Sequence, residues 1–261
     1  MARLDHMRWL VVLLMLLLAG CNDKATVATA PTHTPSAAPV RETPTEVPPS
    51  SRPTTPAVRP SPTPRRTPSP TPAAARGYEV AAVTAADLPH SWHPGCPIGP
   101  SQLRMLTVPY LGFDGVRHQG RLVVRSSVAP ALGRTFVRLY EDRFPIRSMR
   151  PVDDFGGDDD RSMAADNTSA FNCRAAVGGN GSWSQHAYGL AVDINTVENP
   201  YVYDGKVDPP AGRPYVHRSP ARKGMILPGG PVLRAFGALG WGWGGNWSSS
   251  KDYQHFSSNG R

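Results

Sequence analysis

Two stretches of the chain combine residue types that can hold a metal ion and move a proton. The first is Ser184-Gln185-His186-Ala187-Tyr188-Gly189-Leu190-Ala191-Val192-Asp193-Ile194. His186 stands just before a glycine turn. The residues that follow alternate as a strand does: Leu190, Val192 and Ile194 face one way, Ala191, Asp193 and Asn195 the other. A carboxylate turned away from the apolar side is either solvated or bound to something. The second stretch is Lys251-Asp252-Tyr253-Gln254-His255-Phe256. His186, Asp193 and His255 together make a three-ligand zinc set, rich in nitrogen and oxygen donors, of the kind that leaves a fourth position for water. Asp252 lies three residues before His255, and in a straight strand the two would face opposite sides. To share a site the chain must bend at Asp252, which places that residue at the start of a strand. There it could take a proton from zinc-bound water and give it to a leaving amine. An amide is a poor electrophile and neutral water a poor nucleophile, and zinc addresses both. The structural alternative is plain: any one histidine alone more often serves the fold than a metal.

These side chains need a frame. Leu106 to Tyr110 and Gly120 to Val124 read as strands. Ser127 to Phe144 has helical spacing, with Leu132, Phe136, Leu139 and Tyr140 on one stripe and Pro130 in the first turn. Gly133 weakens that helix and Pro145 closes it. Ile146 to Val152 reads as a strand and Asp153 to Asp160 as an acidic loop. Leu190 to Asn195 is a strand, Gly229 to Gly237 a short helix, and Leu239 to Trp243 and Tyr253 to Phe256 are late strands. Residues 77–105, dense in proline and glycine, read as an irregular leading arm. Hairpin-like strands with one main helix predict an α+β domain over 77–261.

The composition sorts the rest. The chain has 261 residues, 29 of them proline, and a formal charge of +8. Fourteen prolines fall in residues 25–76, and the charge divides as +1 in 1–24, +4 in 25–76 and +3 in 77–261. A basic chain suggests nucleic acid. Half of this charge sits in a proline-rich tract, so no nucleic-acid partner is expected. Residues 25–76 hold no Leu, Ile, Met, Phe, Trp or Tyr. Such a stretch cannot offset its chain entropy by burial and is expected to be a disordered, polyproline-like linker. At about 3.1 Å per residue it reaches at most roughly 160 Å.

Arg3 and Arg8 precede the apolar run Leu10 to Leu18, which is too short for a bilayer and fits a secretory signal peptide over 1–20. Met7 offers a second start. The run ends Leu18-Ala19-Gly20-Cys21, which resembles the bacterial lipobox. That resemblance implies lipidation at Cys21, a membrane anchor through the lipid, and an extracytoplasmic location. The two or three acyl chains of a lipobox cysteine give stable anchoring. In an exported chain the remaining pair, Cys96 and Cys173, is most simply a disulfide, with two reduced thiols as the alternative.

The pattern Ser-x-His-x-x-Gly-x-Ala-x-Asp with a late Asp-x-x-His resembles the zinc D-Ala-D-Ala carboxypeptidases and L-Ala-D-Glu endopeptidases that cut peptidoglycan stem peptides, the VanX/VanY-like group. The stretch Asp158 to Arg174 also resembles the VanY-like subgroup, and the likeness covers roughly residues 105–258. It implies a small antiparallel sheet with flanking helices. His186, Asp193 and His255 match its zinc ligands, Asp252 its general base and Ser184 a substrate-contacting serine. Arg174 matches the arginine that steadies the oxyanion, with Arg150 as the rival. Trp241-Gly242-Trp243-Gly244-Gly245-Asn246-Trp247 resembles the family's Trp-Gly-Gly-Asp-Trp strand, with Asn246 where aspartate is common. Trp243, on one strand face with Trp241, either floors a peptide groove or packs in the core.

Activity on stem peptides as a monomeric zinc carboxypeptidase is the expectation. An L-Ala-D-Glu endopeptidase, or a wall-binding lipoprotein without turnover, is the alternative. Degenerate binders lose a ligand or the base, and all four residues are present here. Asp153, Asp154 and Asp158 to Asp160 could hold calcium or form a solvated loop. His217 could touch substrate or lie on the surface.

Overall fold

The computed structural model describes residues 77–177 and 181–261. The signal peptide 1–20, the lipidated Cys21 and the linker to residue 76 lie outside the described residues.

Strands β1 (Glu79–Ala82), β2 (Leu103–Gly112) and β3 (Arg117–Arg125) form an antiparallel sheet in that order. Alternation divides the faces of the β2–β3 hairpin. Leu106, Val108, Leu122 and Val124 enter the larger core, Leu103 and Val123 a smaller one. A sheet apolar on both sides must be covered on both. Helix α1 (Ala129–Glu141) covers the first face with Leu132, Phe136 and Leu139. Pro130 sits in its first turn, where the missing N–H costs nothing. Gly133 has a packing reason: a Cβ there would come within 2.4 Å of the Tyr78 ring. The helix stops at Glu141, short of the expected Phe144. Arg143 turns left-handed (φ 57°), and the Phe144 N–H reaches back to the Leu139 carbonyl at 2.9 Å.

The second face is covered by the leading arm, through Leu88 and Ile98, and by Phe171 and Cys173. Cys96 and Cys173 are joined in a disulfide across a separation of 77 residues. In the chain-entropy picture a loop of that length is worth about 4.5 kcal/mol. The bond fixes the segment that leads into Arg174.

The stretch expected as one strand over 146–152 is two. β4 (Pro145–Ile146) runs parallel to the end of β2, and β5 (Ser148–Met149) pairs in parallel with β6 (Asn167–Thr168). The expected acidic loop is mostly helical: a 3-10 turn at Val152–Phe155, then α2 (Asp159–Ala164). Its carboxylates are used locally. Asp158 caps α2 by accepting from the Arg161 N–H at 3.0 Å. Asp153 accepts from the His90 and Ser91 N–H groups at 2.9 Å and from the Ser91 hydroxyl at 2.5 Å. Among the described residues these acids form no metal-ligating cluster.

The C-terminal half carries β7 (Ala191–Asp193), β8 (Tyr201–Tyr203), β9 (Lys206–Asp208), α3 (Pro231–Gly237), β10 (Gly242–Trp243), β11 (Lys251–Asp252) and β12 (His255–Ser257). They form two antiparallel sheets, ordered β10-β12-β7 and β11-β8-β9. The first lies against the larger core through Val192, Trp243 and Phe256. Small antiparallel sheets with few helices make this an α+β fold.

One buried carboxyl sets a stability trend. Glu198 is 2% exposed and lies 3.5 Å from Arg147. Burial first, then the neighbouring Asp166, push it from 4.5 up to about 8, against the pull of Arg147. The folded state holds this proton more tightly than the unfolded chain. The contribution is therefore full below about pH 4.5 and is lost as pH rises through 8. Thermal melts should give a Tm that falls between pH 5 and 8. Glu198→Gln should flatten that slope and raise Tm at pH 8. An unchanged slope would remove Glu198 as its source.

Candidate active site

A cleft of about 420 Å³ opens where the two C-terminal sheets meet residues 159–177 and 182–185. Its floor is built by three local devices. The first is a 3-10 turn, Gln185–Tyr188, that presents His186. Ser184 caps it, its hydroxyl oxygen accepting from the His186 N–H at 3.3 Å. Gly189 ends it at φ 63°. Only glycine fits there: a Cβ would stand 2.6 Å from the Arg125 nitrogen. The Gly189 carbonyl accepts from that same N–H at 2.9 Å, so the turn is fastened to the end of β3. The second device is β7, whose alternation puts Val192 in the core and Asp193 toward the cleft. The third is β12, where His255 stands directly opposite Asp193 in register.

Three acceptor atoms converge. His186 Nε2 is 3.1 Å from Asp193 Oδ2 and 3.2 Å from His255 Nδ1, and His255 Nδ1 is 3.0 Å from Asp193 Oδ1. The outer nitrogens fix the tautomers. His186 Nδ1 lies 2.5 Å from the Ala170 carbonyl and His255 Nε2 lies 3.2 Å from the Arg261 carbonyl. A carbonyl only accepts, so each outer nitrogen carries the proton. Both inner nitrogens then point lone pairs at a carboxylate. Neutral rings held this way leave three acceptors facing one another with no donor, an arrangement that calls for a cation. Zinc bonds of 2.0–2.1 Å in a tetrahedron require ligand atoms about 3.3 Å apart. The donor set and its spacing fit zinc.

Electrostatics agree. All three residues are buried. Burial opposes a charged His186, but Asp193 outweighs it and raises the pKa. Burial alone would raise Asp193, yet the two histidines hold it far below the ordinary carboxylate range. Asp193 thus stays ionised, the form in which a carboxylate ligates a metal. A second metal-type group, His93 with Cys96 and Cys173, has both sulfurs in the disulfide and offers no thiolate.

Asp252 lines the cleft from the end of β11, which pairs with Tyr201 of β8. It was expected at the start of the strand that holds His255. Instead it closes a strand of a different sheet, and the chain bends over Tyr253 and Gln254 before β12 begins. The bend brings Asp252 and His255 to one cavity. Asp252 Oδ1 is buried without a hydrogen-bond partner. Burial, the largest influence, pushes the carboxyl up to about 7. That is near the value a proton-transferring group needs at neutral pH.

Of the two candidate arginines, Arg174 lines the cleft. It pairs with Asp159 at 2.9 Å, so part of its charge is already met. Arg150 lies outside the cleft lining, over the Phe155 ring at 4.4 Å. Ser184 lines the cleft as well as capping the turn. Trp243 does not: it is buried in the main core against Phe256, its indole N–H donating to the Tyr253 carbonyl at 2.9 Å. The groove-floor reading of Trp243 is therefore replaced by core packing, and Trp241 is buried likewise. The next tryptophan along, Trp247, reaches the cleft with Trp183, Tyr201 and Tyr203. Trp247 was legible as the last aromatic of its glycine-rich motif. The tyrosines of β8 carried no such signal. His217 is exposed and outside the cleft lining.

Residues 178–258 match the family model described as D-alanyl-D-alanine carboxypeptidase. No curated protein and no solved structure matches the chain. The matched segment contains Ser184, His186, Asp193, Asp252 and His255, and residues 1–177 lie outside it. It supports a peptidase of the D-Ala-D-Ala carboxypeptidase type. Over residues 178–258, about a third of its length, the chain is thus similar to the D-alanyl-D-alanine carboxypeptidases.

Proposed function

We propose that the protein is a zinc-dependent peptidase that removes the terminal D-alanine of peptidoglycan stem peptides. The observation that carries this reading is the convergence of two histidine lone pairs and the Asp193 carboxylate in one cleft with an unpartnered, raised carboxyl. His186, Asp193 and His255 would hold the zinc. When bound, zinc polarises the scissile carbonyl and makes water acidic enough to attack at neutral pH.

The chain's own groups do the rest. Ionised Asp252 accepts the proton of the attacking water. It then gives that proton to the departing amine, so one C–N bond breaks, one C–O bond forms and the base is regenerated. The Arg174 guanidinium, held by Asp159, supplies fixed positive charge for the developing oxyanion. Trp183 and Trp247 bound the cleft with apolar surface that excludes water from the reacting bond. The full chain is held outside the cell membrane by lipid on Cys21, with residues 25–76 as the tether to the wall.

The test is digestion of purified pentapeptide muropeptides, read by mass spectrometry. Loss of one D-alanine is expected. Release at L-Ala-D-Glu would replace the carboxypeptidase reading with the endopeptidase one. Binding without any cleavage by zinc-loaded protein would replace both with a wall-binding role.

A further inference from the structure

Part of the cleft wall takes no part in the chemistry at Asp252 and the three ligands. Helix α2 turns Asp159, Asp160 and Met163, spaced three and four apart, toward the cavity. The β8–β9 ribbon presents Tyr201, Tyr203 and Asp208 to the same cavity, with Tyr201 opposite Asp208 in register and the two rings stacked at 4.5 Å. The acids feel one another. Burial first, then the charges of Asp160 and Asp159, raise the Asp208 carboxyl above its ordinary value. Arg174 answers Asp159 at 2.9 Å. Among the described residues Asp160 and Asp208 have no ion-pair partner. An acidic wall alone is ordinary surface, and Gln254 makes this one more than that. Its side chain is 2% exposed and lines the same cleft. Its Nε2 amide N–H faces the Met163 sulfur at 3.8 Å. A thioether accepts and cannot donate, so this contact leaves Oε1 as the free end of the amide. Oε1 is buried with no hydrogen-bond partner. A buried acceptor left unsatisfied costs free energy, and a bound donor recovers it.

From this we infer that the wall is a specificity site for a substrate side chain bearing a primary ammonium, with Asp160 and Asp208 supplying charge and Gln254 Oε1 a hydrogen-bond acceptor. The inference rests on the cleft being the peptide site of the proposed function. Two carboxylates, an amide oxygen and two aromatic faces are all partners of an ammonium, which brings three donors and a positive charge. An anionic side chain would be repelled here. An apolar one would strand all three acceptors. A divalent ion is a poorer match, because among the described residues Asp159, Asp160 and Asp208 do not converge closely enough to ligate one. Acylation of the amine removes its charge and two of its donors. The site would therefore tell a free amine from a capped one on an otherwise identical peptide.

The test gives the zinc-loaded full chain two peptides, Nα-acetyl-L-Lys-D-Ala-D-Ala with its ε-amine free and the same peptide with that amine acetylated. The free-amine peptide should show a kcat/KM about 10-fold higher, mainly through KM, as loss of a hydrogen bond to a charged group implies. Combining Asp160→Asn with Asp208→Asn should bring the ratio between the peptides close to one, and Gln254→Leu should lower it. Asp142→Asn, which removes an acid beyond the end of α1, should leave the ratio as it was and so separates the wall from net charge. Equal or reversed values for the two peptides would overturn the inference, as would a ratio that persists in the double variant. Should that variant fail to fold, Asp160→Asn alone decides by the same ratio, since Asp160 is exposed. If neither peptide is cleaved, the carboxypeptidase reading falls, and the wall is then read by binding. Side-chain amide shifts of Gln254 that respond to the free-amine peptide alone would support the site. The same response to both peptides, or to neither, would overturn it.

Discussion

His186→Ala is expected to remove peptide hydrolysis and zinc uptake together while leaving a folded domain. The side chain supplies one of three convergent acceptors, and two are too few to hold a catalytic zinc. Metal polarisation is worth several kcal/mol in the transition state. Each 1.36 kcal/mol is tenfold in rate, so the loss should be roughly three orders of magnitude or more. The turn itself survives, because its cap is the Ser184 hydroxyl on the His186 backbone N–H, which alanine retains. The Ala170 carbonyl loses its donor, a cost of about 1–3 kcal/mol. Chelated wild-type protein should show the same loss and recover with zinc, whereas the variant should not recover. Full activity in metal-free wild-type protein would end the zinc reading.

Asp252→Asn should separate binding from chemistry. Asparagine keeps the shape of the side chain but cannot accept and release the proton. A fall in kcat of about 10²- to 10⁴-fold is expected, with KM and zinc affinity nearly unchanged. Burial pushes this carboxyl up to about 7 in the metal-free site. A neighbouring cation favours the ionised form and brings the value down. Activity should therefore rise with pH along an acid limb at or below 7, and that limb should vanish in the variant. The variant also removes a charge whose Oδ1 is buried without a partner. Its Tm at pH 8 should not fall. Undiminished kcat would rule out Asp252 as the base.

Much of the frame is written in local sequence. The β2–β3 hairpin and α1 follow from alternation and from the Leu132-Phe136-Leu139 stripe, because each is long enough for its period to be read. Asp193 was readable for the same reason: it breaks the apolar side of a short strand. The acidic run 153–160 was not, because five aspartates look solvated until their partners are known. Those partners, His90 and Ser91 for Asp153, lie more than sixty residues away. Trp243 and Trp247 share one glycine-rich motif and differ only in what the 3-10 turn at Gly244–Asn246 does between them. Composition cannot assign one to the core and the other to the cleft. The bend that brings Asp252 to His255 was demanded by the chemistry, but its position came from the pairing of β11 with β8.

The direct register of His255 on Asp193 has a consequence for how the molecule tolerates change. Ligands on facing rungs of one ladder meet only if the count of rungs is right. A one-residue slip of β12 would offer Phe256 to the cleft and send His255 into the core. Turns between those two rungs that carry no site residue are free of that rule. The turn between β8 and β9, Asp204–Gly205, joins two strands of the other sheet, so residues added there leave the ladder count intact. The same addition in the two-residue step from Asp252 to His255 would put the base and the ligand out of phase. Length variation should thus be permitted in the first place and forbidden in the second, which makes zinc uptake a direct assay of strand alignment in any rearranged version of this domain.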